Sequence, residues 1–574
     1  MRKSIFLALC ILIVLGLVLA CNTTGSTRAG GFNPGTYLAV GSGRGGPIPV
    51  EVEFSKDAIK SIRVLGHNES YHIGNVPVET YPALIVEHQS LAVDIVSGAT
   101  ISSFAVLNAV RDAVVMAGGN PGALNTRVRR QTDPAENVQT DVVVIGGGAA
   151  GLTAAIEAAR AGSKVILVEK LSILGGTSTY VIEGFGAVES GVQRAIGVPS
   201  TWQTWHNVLA NNNPHGPGGT SEAFEILTRN SGGSVNWLRS IGALLTVTGG
   251  ATSMASSREV GILGETIVGA LMLEAKKAGV EVRLNTKALE LVITNGAATG
   301  VRVENSNGTY TIQAKSVVMA TGGFAANNEM VAQFQPHLKG FPFSSSPGAT
   351  GDGHRMAEAA GANLRQMDYV RVNFGYHNKQ GIVYYTASIT NTGGIFVNNN
   401  GVRVINENGG YFAGPEVAVN HGGEGWAVFD RSLIESVQDV RKYYNLGLFI
   451  SASSLEELAD KMPGLNKANF LRTVENYKGF VAQGRDQEFN RPVLNMTFDK
   501  PPFYAIRFNV HVQGTFGGIH TNLSTQALRA NGAVIPNLFA AGECASVGTY
   551  GANPMSTNIT FGRIAGQSAA ANAR

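Results

Sequence analysis

Residues 140–170, TDVVVIGGGAAGLTAAIEAARAGSKVILVEK, constrain this chain more than any other stretch. The apolar, β-branched run at 142–145 reads as a buried parallel strand. It enters Gly146-Gly147-Gly148-Ala149-Ala150-Gly151, which satisfies G-x-G-x-x-G, and then an Ala-rich helical stretch to Ala161. A second strand at 165–168 ends at Glu169 and Lys170. The glycines permit a tight turn and let the backbone approach a pyrophosphate on the N–H groups of the helix start. Glu169 stands about 20 residues on, where an acid can bind a ribose 2′-hydroxyl. Alone, the glycine pattern is weak. Strand, turn, helix, strand and acid in order make a dinucleotide site, with Gly146, Gly148, Ala150, Gly151, Glu169 and Lys170 as candidate contacts.

A chain of 574 residues implies several domains with substantial cores. Its net charge of +3 and 15% charged residues give no basic patch for nucleic acid. The 72 glycines are scattered, without the period of a fibrous repeat.

The N-terminus, MRKSIFLALCILIVLGLVLAC, reads as a signal peptide: Arg2 and Lys3, then an apolar run at 5–20. The run is slightly short for a membrane span of roughly 20 residues. Val18-Leu19-Ala20-Cys21 resembles a bacterial lipoprotein cleavage box, although Leu19 is larger than usual. The resemblance implies that residues 1–21 are a signal peptide and that Cys21 becomes a lipidated N-terminus. An uncleaved anchor helix is the alternative. Both hold the body at a membrane surface outside the cytoplasm. The cysteines are Cys10, Cys21 and Cys544, so the mature body has no internal disulfide, no C-x-x-C-H haem site and no metal cluster. Any redox chemistry must be organic.

Residues 22–34 form a Ser/Thr/Gly-rich tether, and a compact unit follows at 35–119. PIPVEVEFSKDAIKSIRVL alternates like a hairpin turning near Ser55-Lys56-Asp57, and 102–116 is helical in pattern. Between them, Asp94-Ile95-Val96-Ser97-Gly98-Ala99-Thr100 resembles the D-x-x-[ST]-G-A-T acceptor of covalent FMN domains. In those domains a flavin transferase joins FMN to the threonine as a phosphodiester. The resemblance implies covalent FMN on Thr100, with the nearby helix start offering N–H groups to phosphate. The rival reading is a helix-capping turn without flavin. Residues 120–139 look like an exposed linker.

From Thr140 to the C-terminus the chain resembles the soluble fumarate reductase and 3-ketosteroid dehydrogenase superfamily of FAD proteins. Five motifs in the family's order carry the resemblance: Gly175-Gly176-Thr177-Ser178, Ala320-Thr321-Gly322-Gly323-Phe324, Thr350-Gly351-Asp352-Gly353, Asn537-Leu538-Phe539-Ala540-Ala541-Gly542-Glu543, and Thr557-Asn558-Ile559 at the start of the last helix. They imply non-covalent FAD held by Gly176, Thr177, Ser178, Thr321, Gly322, Asp352, Gly542, Glu543, Asn558 and Ile559. The implied fold is α/β: a Rossmann-type FAD-binding domain (140–366 and 508–574) with an inserted α+β cap (367–507), preceded by a small α+β FMN-binding domain. Substrate would bind between cap and FAD domain.

The sequence departs from the fumarate reductases where they grip a dicarboxylate. Their proton-donating arginine falls at Tyr411, and the acid and arginine of their proton relay at Ala387 and Thr390. Their cap histidine falls at Asn373, their paired histidines at Gln513 and Gly514, and their carboxylate-clamping arginine at Pro554. Most of the cationic clamp is therefore gone, and Arg371 and Arg355 are the cations left to replace it. Tyr411 follows Asn406-Glu407 as N-E-x-x-x-Y, and Gly514-Thr515-Phe516-Gly517-Gly518 reads G-T-x-G-G, both similar to the ketosteroid dehydrogenases. Tyr411 is the candidate catalytic acid, against a packing role. Tyr376, Tyr384 and Tyr385 are packing residues or pocket walls. His377, His421, His511 and His520 have no ligand spacing, and Cys544 reads as a small buried residue.

The expectation is an exported reductase of a small unsaturated organic acceptor other than fumarate. Electrons would pass from a membrane-associated donor to FMN, then FAD, then substrate. Its rivals are a dehydrogenase that places a C=C bond beside a carbonyl, and a flavin electron carrier without organic substrate.

Overall fold

The computed structural model describes residues 31–574 apart from 70–73, 97–98, 129–133, 182–183, 212–218, 248–252, 257–262, 378–382, 386, 391, 409–418, 446 and 550–551. Cys10, Cys21 and Tyr411 thus lie outside the described residues, as do the side chains of Tyr376, Tyr384 and Tyr385. The chain forms two compact units, Met1–Gln131 and Thr132–Arg574. Among the described residues no helix is long and apolar enough to cross a membrane.

In the first unit, strands Gly35–Gly43, Gly46–Phe54 and Ile59–Val64 form an antiparallel meander. Alternation in the middle strand buries Ile48, Val50, Val52 and Phe54, against helix Thr100–Met116, which buries Val106, Val110 and Val114. Gly41 makes the approach possible, because a Cβ there would lie 2.0 Å from the Ala105 carbonyl oxygen. The expected linker is shorter than 120–139. Leu91 N–H donates to the Leu124 carbonyl, the Ser90 hydroxyl donates to Thr126 O at 2.5 Å, and Val93 bridges to Val128. Its last residues, Val138 and Gln139, already belong to the nucleotide strand.

The second unit is built on an eight-stranded sheet. Its parallel centre runs Glu281–Arg283, Val165–Val168, Val138–Ile145, Gly308–Met319 and Val534–Ala540. Register pairs Val142–Ile145 with Val165–Val168, residue for residue. The period-two geometry of a strand then sends Val142, Val144, Val165 and Leu167 into one core and Val143, Ile145, Ile166 and Val168 into another. Both faces are covered, which is why these strands are apolar without alternation. On the first face helix Ala149–Arg160 lies against helix Pro554–Ala573. Small residues set their separation: a Cβ on Gly566 would come within 2.3 Å of Ala154 O.

A second, antiparallel sheet is built largely from the residues expected to form a cap. Its order is Val383–Tyr385, Val370–His377, Phe503–Thr515, Glu424–Asp430 and Ile395–Asn398. Phe374, Phe396 and Phe508 interlock in its core, with ring centroids 4.2–4.9 Å apart. The expected return to the FAD domain at residue 508 is corrected by this sheet. Strand Phe503–Thr515 is continuous, and the chain rejoins the flavin side only at Gly518–His520, which pairs with Leu364–Arg365. Strand character at 503–515 hides the junction, since no turn residue marks position 508. Beneath this sheet Arg403 bonds Glu407 at 2.7 Å and Asp486 at 2.9 Å, while Arg491 stands 3.3 Å from Glu407. Burial works against the Arg403 charge, and the Glu407 and Asp486 carboxylates more than offset it.

Candidate functional site

The glycine turn divides its labour. Gly146, at φ +108°, passes so close to the next strand that a Cβ would lie 2.2 Å from Ala320 O. A Cβ on Gly151 would lie 1.9 Å from Gly146 O, so this glycine seats the helix on the strand. Gly148 has nothing nearer than 3.8 Å and leaves the backbone open to the cleft. Glu169 accepts from Gly147 N–H and Leu171 N–H, both at 2.8 Å, so the second strand end is tied to the turn. Burial pushes its carboxyl above the ordinary range, against those two N–H bonds. Lys170 reaches the Thr350 hydroxyl at 2.6 Å and Asp352 at 2.7 Å. Burial alone would raise the Asp352 pKa, but the Lys170 ammonium holds it below the usual carboxylate value.

These groups surround a cleft of about 800 Å³. Gly146, Gly148, Ala150, Glu169 and Lys170 line it from the nucleotide motif. Gly176, Thr177 and Ser178 line it from the 3₁₀ turn Gly176–Tyr180, Thr321 and Gly322 from beyond the strand Gly308–Met319, and Asp352 from the start of helix Asp352–Ala359. Gly542, Glu543 and Asn558 close its far end. A glycine-rich cleft at the C-terminal ends of parallel strands, lined by Glu169 and by the start of helix Ala149–Arg160, fits FAD. Two expected contacts fall elsewhere. Gly151 acts in packing, and Ile559 is fully buried in the core beneath the cleft. The last helix begins at Pro554, capped by the Asn553 side chain, so Thr557-Asn558-Ile559 is not its first turn. Pro at the first helical position and Asn before it were the legible signal. Thr286, Lys287, Ser346 and Met356 also line the cleft. No motif marks Thr286 or Lys287, which join the short strand Glu281–Arg283 to the strand Lys287–Thr294.

A second cavity, of about 920 Å³, shares Thr177, Ser178, Gly542, Glu543 and Asn558 with the first. Glu543 therefore stands at their junction. Its carboxylate accepts from Thr515 N–H at 2.8 Å, and burial raises its pKa against that bond and the Arg371 charge. Gln513, Gly514 and Phe516 line it together with Arg371 on the paired strand, and Pro554 and Thr557 line it from the last helix. A Cβ on Gly514 would stand 3.2 Å from Glu543 Oε1, so the carboxylate would have to give way by a few tenths of an ångström. The Thr557 hydroxyl is buried without a hydrogen-bond partner among the described residues. Asn373 lies in the sheet interior opposite His511, its side-chain oxygen accepting from Phe374 N–H. Arg355 is half exposed, bonds Asp352 at 2.7 Å, and lines neither cavity. Cys544 is fully buried, and burial pushes its thiol up to about 11.

In the first unit, Thr100 is exposed and opens helix Thr100–Met116. The N-cap position belongs to Ala99, which has no side-chain cap, so the Thr100 hydroxyl does not take that role. An exposed hydroxyl at a helix start, beside uncapped N–H groups, fits a flavin phosphate. Two positions on, the Ser102 hydroxyl donates to the buried Glu69.

Comparison with known proteins agrees with both halves. The FAD binding domain family matches residues 141–559, and the FMN-binding domain family matches residues 43–115. "Fumarate reductase (cytochrome)" of Shewanella frigidimarina is 34% identical over 445 residues, covering 75% of this chain and 77% of that protein. "Urocanate reductase" of Eggerthella lenta is 32% identical over 578 residues, covering 95% of this chain and 94% of that protein. The solved open conformation of a flavocytochrome c3 fumarate reductase superposes with a TM-score of 0.68 at 32% identity, covering 77% of this chain and 79% of that one. The cofactors are FAD and FMN, and the chain belongs to the fumarate reductase and 3-ketosteroid dehydrogenase superfamily of FAD-dependent oxidoreductases, with an FMN-binding domain ahead of its FAD-binding domain.

Proposed function

We propose that the protein is a flavin-dependent reductase of an activated C=C bond, with a substrate other than fumarate. The observation that carries this reading is the second cavity, which meets the FAD cleft across five shared residues and offers an organic molecule a place beside the redox group. An electron carrier has no use for such a space. The relatives named as fumarate and urocanate reductases support the reductive direction. The absence of a clamp at Pro554, Gly514 and Asn373 argues against a small dicarboxylate.

Bound FAD supplies hydride to one carbon of the double bond, and FMN supplies the electrons that replenish it. The chain's own task is to hold the substrate, exclude water and deliver a proton to the other carbon. We assign the proton to Tyr411 on its spacing from Asn406-Glu407. A phenol of pKa ~10 keeps its proton at neutral pH and can release it as the substrate carbon becomes basic. A dehydrogenase placing a C=C bond beside a carbonyl is the second reading, favoured by the N-E-x-x-x-Y and G-T-x-G-G spacings.

Thr100 would carry FMN as a phosphodiester formed by a flavin transferase. The leader and Cys21 support export and lipid anchoring, with a membrane-associated donor reducing FMN. A covalent FMN suits export, since it cannot diffuse away. Viologen-driven turnover of unsaturated carboxylates, enones and steroids tests the reading. Reduction of at least one class is expected, and oxidation of saturated compounds without any reduction would overturn it.

A further inference from the structure

We infer that Tyr81 is a positioning residue for flavin attachment: its hydroxyl presets the backbone that presents Thr100 to the enzyme joining FMN to it. The inference rests on Thr100 as the acceptor, and the experiment below separates the two. Tyr81 stands on helix Asn75–His88 and is fully buried. Its hydroxyl donates to the Asp94 carbonyl at 2.9 Å and accepts from Val96 N–H at 3.2 Å. One phenol thus ties two backbone groups of the acceptor heptapeptide to a neighbouring helix. It can do so because its oxygen is donor and acceptor at once. Phenylalanine would pack the same ring and hold neither group.

Further bonds carry this order to the acceptor. Val96 N–H is shared with the Ser103 hydroxyl at 3.2 Å, and Val96 O accepts from Ala99 N–H at 2.9 Å. Ala99 O in turn accepts from Ser103 N–H at 2.8 Å. Downstream, the Ser102 hydroxyl donates to Glu69, whose other oxygen accepts from Gly45 N–H at 2.7 Å. Val96 and Ala99 are buried, while Thr100 is exposed. The acceptor hydroxyl therefore belongs to backbone that is fixed on both sides. Such fixing serves a group transfer in which the nucleophile must meet phosphorus in line. With FAD as the flavin donor, the Thr100 oxygen forms a bond to the FMN phosphorus and the pyrophosphate bridge breaks. AMP leaves, and the hydroxyl proton passes to a base on the transferase. A segment that holds the acceptor shape only part of the time binds the transferase more weakly by that fraction.

The test uses the FAD-loaded full chain made without a flavin transferase, then treated with purified transferase, FAD and magnesium. Flavin that survives acid precipitation reports attachment. Tyr81→Phe should raise the KM for the acceptor chain roughly five- to tenfold, the worth of one hydrogen bond. Its kcat should change less than about twofold, because the bound transferase orders the segment itself. FAD content should hold. A lower melting temperature with an unchanged KM would make Tyr81 a packing residue and overturn the role. Hydrogen exchange of the unmodified wild type gives a second measure that needs no variant: Val96 N–H should be protected before any FMN is attached. Exchange at the rate of an unfolded peptide would overturn the inference even where Tyr81→Phe fails to fold. A wild type that takes up no acid-stable flavin would overturn Thr100 as the acceptor and the role of Tyr81 with it. A wild type that is labelled, with the same KM in Tyr81→Phe, would overturn Tyr81 alone.

Discussion

Gly151 shows what the fingerprint means at the scale of one residue. Its place in G-x-G-x-x-G suggests a ligand contact, yet the structure uses it to let the helix touch the Gly146 carbonyl. Gly151→Ala should therefore overpack the turn, costing about 1–3 kcal/mol, and lower both the melting temperature and the FAD content of purified protein. Unchanged FAD content and stability would contradict that role. Tyr411→Phe keeps the ring and removes only the hydroxyl, so FAD content should hold while turnover falls roughly 10²–10⁴-fold. Near wild-type turnover would assign the proton to another group. Much of the FAD cleft was legible residue by residue, because Gly146, Gly148, Glu169, Lys170 and Asp352 stand in motifs whose spacing follows from backbone geometry. Thr286 and Lys287 were not legible as lining residues. They reach the cleft through sheet register, and register is a long-range property that no local pattern encodes.

Elements that carry the site are held by contacts away from it. Helix Asp352–Ala359 follows Gly351 at φ +75°, and His354 on it bonds the Gly517 carbonyl at 3.1 Å. Burial lowers the His354 pKa from 6.5 to about 4, opposed by the Gly517 bond and reinforced by the Arg355 charge. The unfolded chain thus takes up a proton between pH 6.5 and about 4 that the folded chain refuses. Stability contributed by this site is complete above that window and is lost as pH falls through it, by up to about 3 kcal/mol. His354→Gln keeps a donor to Gly517 and should flatten this part of the melting-temperature profile. An unaltered acid slope would contradict the assignment. The strand Phe503–Thr515 shows where element-level reading failed. Its continuous β pattern spans both the cap sheet and the wall beside Glu543, so a boundary drawn from motifs cut it in two. The last helix failed differently: its family motif lies one turn inside, while Asn553-Pro554 marks the true start.

For the whole molecule, the division into two flavin-binding units was legible from two unrelated motifs on either side of a polar stretch. Thr100→Ala should abolish flavin that survives acid precipitation while leaving dissociable FAD in place. Retained covalent flavin would refute Thr100 as the acceptor, provided a flavin transferase is co-expressed in the wild-type control. That variant should also lose activity with a physiological donor and keep it with a viologen. The FAD unit has a glycine-lined cleft that fits the nucleotide and an adjoining cavity, and we propose that hydride leaves through their junction to a C=C bond. Anaerobic single-turnover mixing of fully reduced enzyme with an unsaturated acid tests this most directly. Reoxidation of FAD should match the rate at which the first equivalent of saturated product appears, and the electrons held on FMN should bring the total to two equivalents. Reduced FAD that no unsaturated compound reoxidises, while oxidised FAD is reduced by the saturated partners, would contradict it.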